Sequence, residues 1–156
     1  MKNITVLGIG NRLMMDDGIG INVVERLSQQ NSIKNCEFLI GETDIDYCLS
    51  VIDKANYIVI IDAVINGRNP GDITILPVKS SRGLSEGISL HNLHLVDYIK
   101  NFKKNLKGIV IGIEPFEITC HFGLSLIIDQ KLSVICENIK NTLKQHLLGV
   151  GKENIL

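Results

Sequence analysis

The chain has no tryptophan and, in 156 residues, only three tyrosines and four phenylalanines. With so few rings there is no aromatic interleaving for stacking on bases and no large interface anchor, which favours a monomer or transient contacts. Its four cysteines (Cys36, Cys48, Cys120, Cys136) are widely spaced, and the missing Cys-x-x-Cys excludes a zinc ribbon and a thioredoxin-type redox pair. Reduced, mostly buried thiols are the reading that remains. No apolar run approaches the roughly 18 residues of a membrane span. The net charge of −1 exerts no global pull toward nucleic acid or an anionic membrane. The first residues run into a strand with no basic segment or cleavage site, which predicts a cytoplasmic protein.

What is present is an ordinary globular composition, 45% hydrophobic and 21% charged, in a chain long enough to bury one core. Residues 1–149 are expected to form one domain, with 150–156 a frayed tail.

The run Ile4-Thr5-Val6-Leu7-Gly8-Ile9-Gly10 has the character of a buried strand entering a tight turn, and a helix should start near Asp16 or Asp17, either of which suits an N-cap. A short strand is expected over Glu37–Ile40, stopped by Gly41, followed by a helix capped by Asp44 or Asp46 and running through Ile52. Tyr57-Ile58-Val59-Ile60-Ile61 is apolar on both faces, as a covered parallel strand requires, and Asp62 should end it. Asn66 to Gly71 is dense in turn formers and leads straight into Ile73–Leu76; no crossover helix fits, so that strand should pair antiparallel. Lys79 to Ser89 offers little apolar surface and is expected to be a mobile loop. A third helix follows from His91, then a strand over Gly108–Ile113 ended by Glu114-Pro115. A last helix carries Leu124, Ile128, Leu132, Ile135, Ile139 and Leu143 on one stripe. Alternating strands and helices imply an α/β fold: a three-layer αβα sandwich around a twisted, mostly parallel mixed sheet of about five strands.

Gly8-x-Gly10 after a strand is half of a dinucleotide fingerprint, but the third glycine position is Leu13, and acids at a helix start repel a pyrophosphate. Nucleotide binding is therefore disfavoured. Asp16 and Asp17 each have a structural reading as caps, and Asp62 as a strand terminator. His94 lies within an apolar rhythm and suits packing or the surface, and His146 suits the negative end of a helix. Lys100, Lys103, Lys104 and Lys107 suit a solvated helix end. Taken together, Asp17 and Asp62 each follow a central strand, and His91 opens a helix near the same edge. If the strands are neighbours, two carboxylates and an imidazole converge in a mixed oxygen and nitrogen set suited to Ni²⁺ or Zn²⁺, with open positions for water or substrate.

Five segments in register carry a resemblance: Gly8-Ile9-Gly10-Asn11 with Asp16-Asp17-Gly18-Ile19-Gly20, then Val59 to Ala63, Asn69 to Ile73, Leu90 to Leu93, and Gly112 to Pro115 with Gly123-Leu124-Ser125 downstream. From about residue 3 to residue 145 the chain resembles the nickel–iron hydrogenase maturation endopeptidases. That resemblance implies cleavage of a carboxy-terminal extension from the precursor of a hydrogenase large subunit after nickel insertion. Asp17, Asp62 and His91 fall on the family's nickel-contacting positions, and Asp17 and Asp62 are the catalytic candidates. The nickel would be supplied by the precursor, without an organic cofactor. Either the ion polarises the scissile carbonyl or activates water, or it is a recognition element while the carboxylates act on water. Many relatives carry an acid before Gly-Gly-Thr or Gly-Gly-Ser after the second strand; here the stretch is Ile40-Gly41-Glu42-Thr43, leaving Glu42, Asp44 or Asp46 to serve. The alternatives are a protease of the same fold with a nickel-independent substrate, as in the spore germination endopeptidases, and a non-enzymatic metal- or nucleotide-binding module.

Overall fold

Three β-branched runs supply the centre of the sheet, because Val and Ile pack well on a pleated surface covered on both sides. A computed structural model describes residues 3–79 and 90–152, with the side chains at 90–93, 147 and 150–152 outside that description. The strands are β1 (Ile4–Ile9), β2 (Cys36–Glu42), β3 (Tyr57–Ala63), β4 (Ile73–Pro77) and β5 (Lys107–Ile113), in the order β2-β1-β3-β5-β4. All neighbours are parallel except β4, which pairs antiparallel with β5 as the short connection demands.

The helices are α1 (Ile19–Gln30), α2 (Ile45–Lys54), α3 (Leu90–Phe102) and α4 (Leu126–Lys152). Ile19, Val23, Val24 and Leu27 of α1 and Ile128, Ile135, Ile139 and Leu143 of α4 bury against one face of the sheet, with Val6, Val59, Ile61 and Ile111. On the other face, Cys48, Val51 and Ile52 of α2 and Leu95, Val96 and Ile99 of α3 cover Leu7, Ile58, Ile60 and Val110. This is the three-layer sandwich. Each fully buried Ile or Leu contributes about 1.5–3 kcal/mol relative to exposure. Among the described residues no helix is long and apolar enough to cross a membrane.

Four local expectations are corrected. Neither Asp16 nor Asp17 caps α1: a 3-10 turn over Met15–Gly18 precedes it, and Gly18 stands at the N-cap without a side-chain bond. Gly41 does not stop β2 but lies inside it, where a Cβ would come within 2.4 Å of the Cys48 sulfur. Asp62 does not end β3; it pairs with Gly112 of β5 and is fully buried. The last helix starts at Leu126, so Leu124 packs on the core from the preceding loop. Asp44 does cap α2, accepting the Tyr47 amide at 3.0 Å. α4 runs through Gly149 to Lys152. The loop expected over Lys79–Ser89 lies, from residue 80 on, outside the described residues.

Candidate active site

From β1 the chain passes to β2 on one side, and then returns to β3 on the other side of β1. The crevice beyond the carboxyl ends of β1 and β3 is therefore the topological switch point, where open α/β sheets hold their ligands. Asp17 follows β1 on the 3-10 turn, and Asp62 is the penultimate residue of β3.

The glycines of this stretch let backbones touch. A Cβ at Gly20 would lie 2.2 Å from the Ile61 carbonyl oxygen and 2.8 Å from that of Ile9, so the first turn of α1 rests directly on β1 and β3. Gly10 has φ of 139°, a conformation glycine alone adopts readily; a Cβ there would lie 2.0 Å from the Asp17 carbonyl oxygen and 3.5 Å from Asp62 Oδ1. The bare backbone of Gly10 thus lets the Asp17 backbone and the Asp62 carboxylate approach the same turn. Asp17 is half-buried, and one of its carboxylate oxygens accepts the Asn11 amide at 3.0 Å, which turns it back over the loop leaving β1. Asp62 belongs to the sheet face covered by α2 and α3. Four residues separate the end of α3 from the start of β5, so the helix runs antiparallel to that strand, and its first turn, which contains His91, lies toward the carboxyl edge. The His91 side chain itself lies outside the described residues, and so does any triad that includes it. Among the described residues no group of three metal-binding side chains comes together.

Two further carboxylates, whose sequence positions suit a cap and a strand stop, build the frame. Asp16 is fully buried and accepts the amides of Phe116 and Glu117 at 3.0 Å, the Ser125 amide at 2.7 Å and the Ser125 hydroxyl at 2.8 Å. Ser125 in turn accepts the Ile128 amide in the first turn of α4. Glu114 is 6% exposed and accepts the amides of Asn66 and Gly67, pinning the loop between β3 and β4. A carboxylate satisfied by several amides is stabilised in burial by charge-assisted bonds. The turn after β1 and the loop after β5 are also laced by backbone: Met15 N–H donates to His121 O, His121 N–H to Leu13 O, and Asp16 N–H to Glu117 O. Arg12 forks onto Glu25 of α1 and reaches Glu42 at 3.3 Å, and hydrogen bonding to Glu25 raises its pKa above the ordinary value. Glu42 is thus engaged with Arg12 and Asp44 with the start of α2, while Asp46 is exposed in the first turn of α2.

His94 is exposed, and His146 lies 3.4 Å from the Tyr57 hydroxyl. A cavity of about 650 Å³ lies by this pair at the amino ends of β3 and β5, lined also by Lys107 and Leu106. It is at the far end of the sheet from the acids.

A family model described as hydrogenase maturation protease, HycI, matches residues 21–142. The chain belongs to the hydrogenase maturation protease family. Hydrogenase 2 maturation protease of Escherichia coli is 29% identical over 151 residues, covering 91% of each chain. The solved structure of the hydrogenase maturating endopeptidase HybD of E. coli has a TM-score of 0.76 at 27% identity, covering 92% of this chain and 93% of its own. The solution structure of an endopeptidase from E. coli gives 0.78 at 28% identity with the same coverage. This member of the hydrogenase maturation protease family is accordingly a peptide-bond hydrolase with the family's α/β sandwich.

Proposed function

We propose that this hydrogenase maturation protease removes a carboxy-terminal extension from the precursor of a nickel–iron hydrogenase large subunit once nickel has been inserted. The observation that supports it is that Asp17, on the turn after β1, and Asp62, near the end of β3, follow adjacent strands at the switch-point crevice, in a chain of this family. Oxygen donors of this kind, with an imidazole from His91, suit the nickel that the precursor carries. Asp17 and Asp62 are then the catalytic pair: a carboxylate takes a proton from the water that attacks the scissile carbonyl, and the amide nitrogen of the leaving peptide is protonated in turn. The metal belongs to the substrate. The protein acts as a monomer in the cytoplasm, without nucleic acid or membrane; its free thiols suit a reducing compartment.

The test incubates the purified protein with a large-subunit precursor, nickel-loaded or nickel-free, and weighs the products by mass spectrometry. Loss of a carboxy-terminal peptide from the loaded form alone is the expected result. Cleavage of both forms would remove the dependence on nickel, and cleavage of neither would overturn the substrate. Asp17→Asn and His91→Ala are expected to abolish processing with an unchanged melting temperature.

A further inference from the structure

Next to the acids the chain keeps apolar side chains in solvent. Leu13 is 60% exposed, Phe116 52%, Ile118 39% and Phe122 71%. Two of the four phenylalanines of an aromatic-poor chain thus stand on one loop. Their backbone is tied down rather than free: Met15 and His121 bond at 2.9 Å, His121 and Leu13 at 3.0 Å, and the Asp16 carboxylate accepts the amides of Phe116 and Glu117. A buried charge fixes a loop that keeps apolar side chains exposed, and such a patch marks an interaction surface.

We propose that this ledge, Leu13 with Phe116, Ile118 and Phe122, docks an apolar stretch of the precursor beside the bond that is cut. The inference rests on the function proposed above. The same 3-10 turn carries Asp16, which holds the ledge, and Asp17, one of the two proposed catalytic acids, so a chain lying on the ledge passes beside the proposed site. A second copy seated there would cover those acids, which excludes a permanent dimer as the occupant. The grip is apolar rather than ionic, since the neighbouring Arg12 is already engaged by Glu25 and Glu42. A pre-ordered aromatic anchor loses little conformational entropy on binding, so few side chains suffice.

Steady-state processing of the full precursor tests this, using Leu13→Ser and Phe122→Ser, both exposed enough to leave folding intact as checked by thermal melting. Val134→Ser, 63% exposed on α4, is the control. The expected result is a KM raised tenfold or more with kcat within threefold, little dependence on added salt, and a control equal to the parent protein. An unchanged KM in both variants, with the parent protein active, overturns the ledge and leaves the proposed function standing. If gel filtration shows a dimer that the substitutions dissolve, the occupant is a second copy and the proposal fails. If the parent protein does not cut the precursor, the proposed function falls and the ledge with it.

Discussion

At the carboxyl ends of β1, β3 and β5 the loops are stitched together by the buried carboxylates of Asp16 and Glu114, whereas at the amino ends of β3 and β5 the strands open onto a cavity of about 650 Å³ beside Tyr57 and His146. That hollow is at the end without the acids. Enclosed pockets suit small ligands that bury most of their surface. A protease for a protein substrate needs the opposite, an edge open to a passing chain and rigid enough to hold two carboxylates still. The end with the catalytic candidates is held by hydrogen bonds from buried carboxylates to backbone amides.

The largest effect should come from the acids in the crevice. Asp62→Asn or Asp17→Asn is expected to reduce precursor processing by roughly 100-fold or more, as loss of a general base does. Mass spectrometry of timed reactions measures it, and near-normal rates in both variants would move the chemistry elsewhere. Next comes the frame. Asp16→Ala leaves three amides and a hydroxyl without their acceptor, and should lower stability by about 3–5 kcal/mol in a denaturant titration. A loss under about 1 kcal/mol would mean that the loop after β5 is held by other means.

A smaller effect is set by pH. Burial pushes the Cys48 thiol, under Gly41 near the carboxyl end of β2, up to about 11. Because the folded-state pKa is raised, the neutral thiol contributes its full stability below the unfolded thiol's range near 8.5, and loses it as pH rises toward 11. Melting curves from pH 8 to 11 should therefore fall less steeply for Cys48→Ala than for the parent protein, and equal slopes would deny the effect. The smallest change is expected at the other end of the sheet: His146→Ala should leave processing within twofold and alter stability by less than about 1 kcal/mol, the net worth of one hydrogen bond. A large loss of processing there would break the contrast between the two ends.

The layers and the antiparallel β4 were legible from residue patterns, because they depend on local apolar periodicity and on connection length. The role of each acid was not. Asp16 and Asp17 are neighbours of the same type, and pattern gives both to the helix start; one instead binds amides 100, 101 and 109 residues away, while the other turns onto Asn11. Asp62 breaks an apolar run and so looks like its end, yet pairing with Gly112 keeps the strand going through it. Gly41 carries a turn signal, but its missing Cβ makes room for Cys48. Glu114 does stand just past the end of β5, but nothing nearby announces that its partners are the amides of Asn66 and Gly67. That Asp17 and Asp62 follow adjacent strands depends on β1 and β3 being neighbours, a fact of topology that no local window contains.

The hydrogen bonds from Phe116, Glu117 and Ser125 to Asp16 also set an order of assembly. Contacts between residues so far apart in the chain form late in folding, since the loop between them must close first. During synthesis both acids of the turn are made early, but the Asp16 carboxylate cannot be buried until the chain has reached Ser125. A growing chain therefore holds its acids in an unfinished turn, and the enzyme becomes competent only when its last third has folded onto its first.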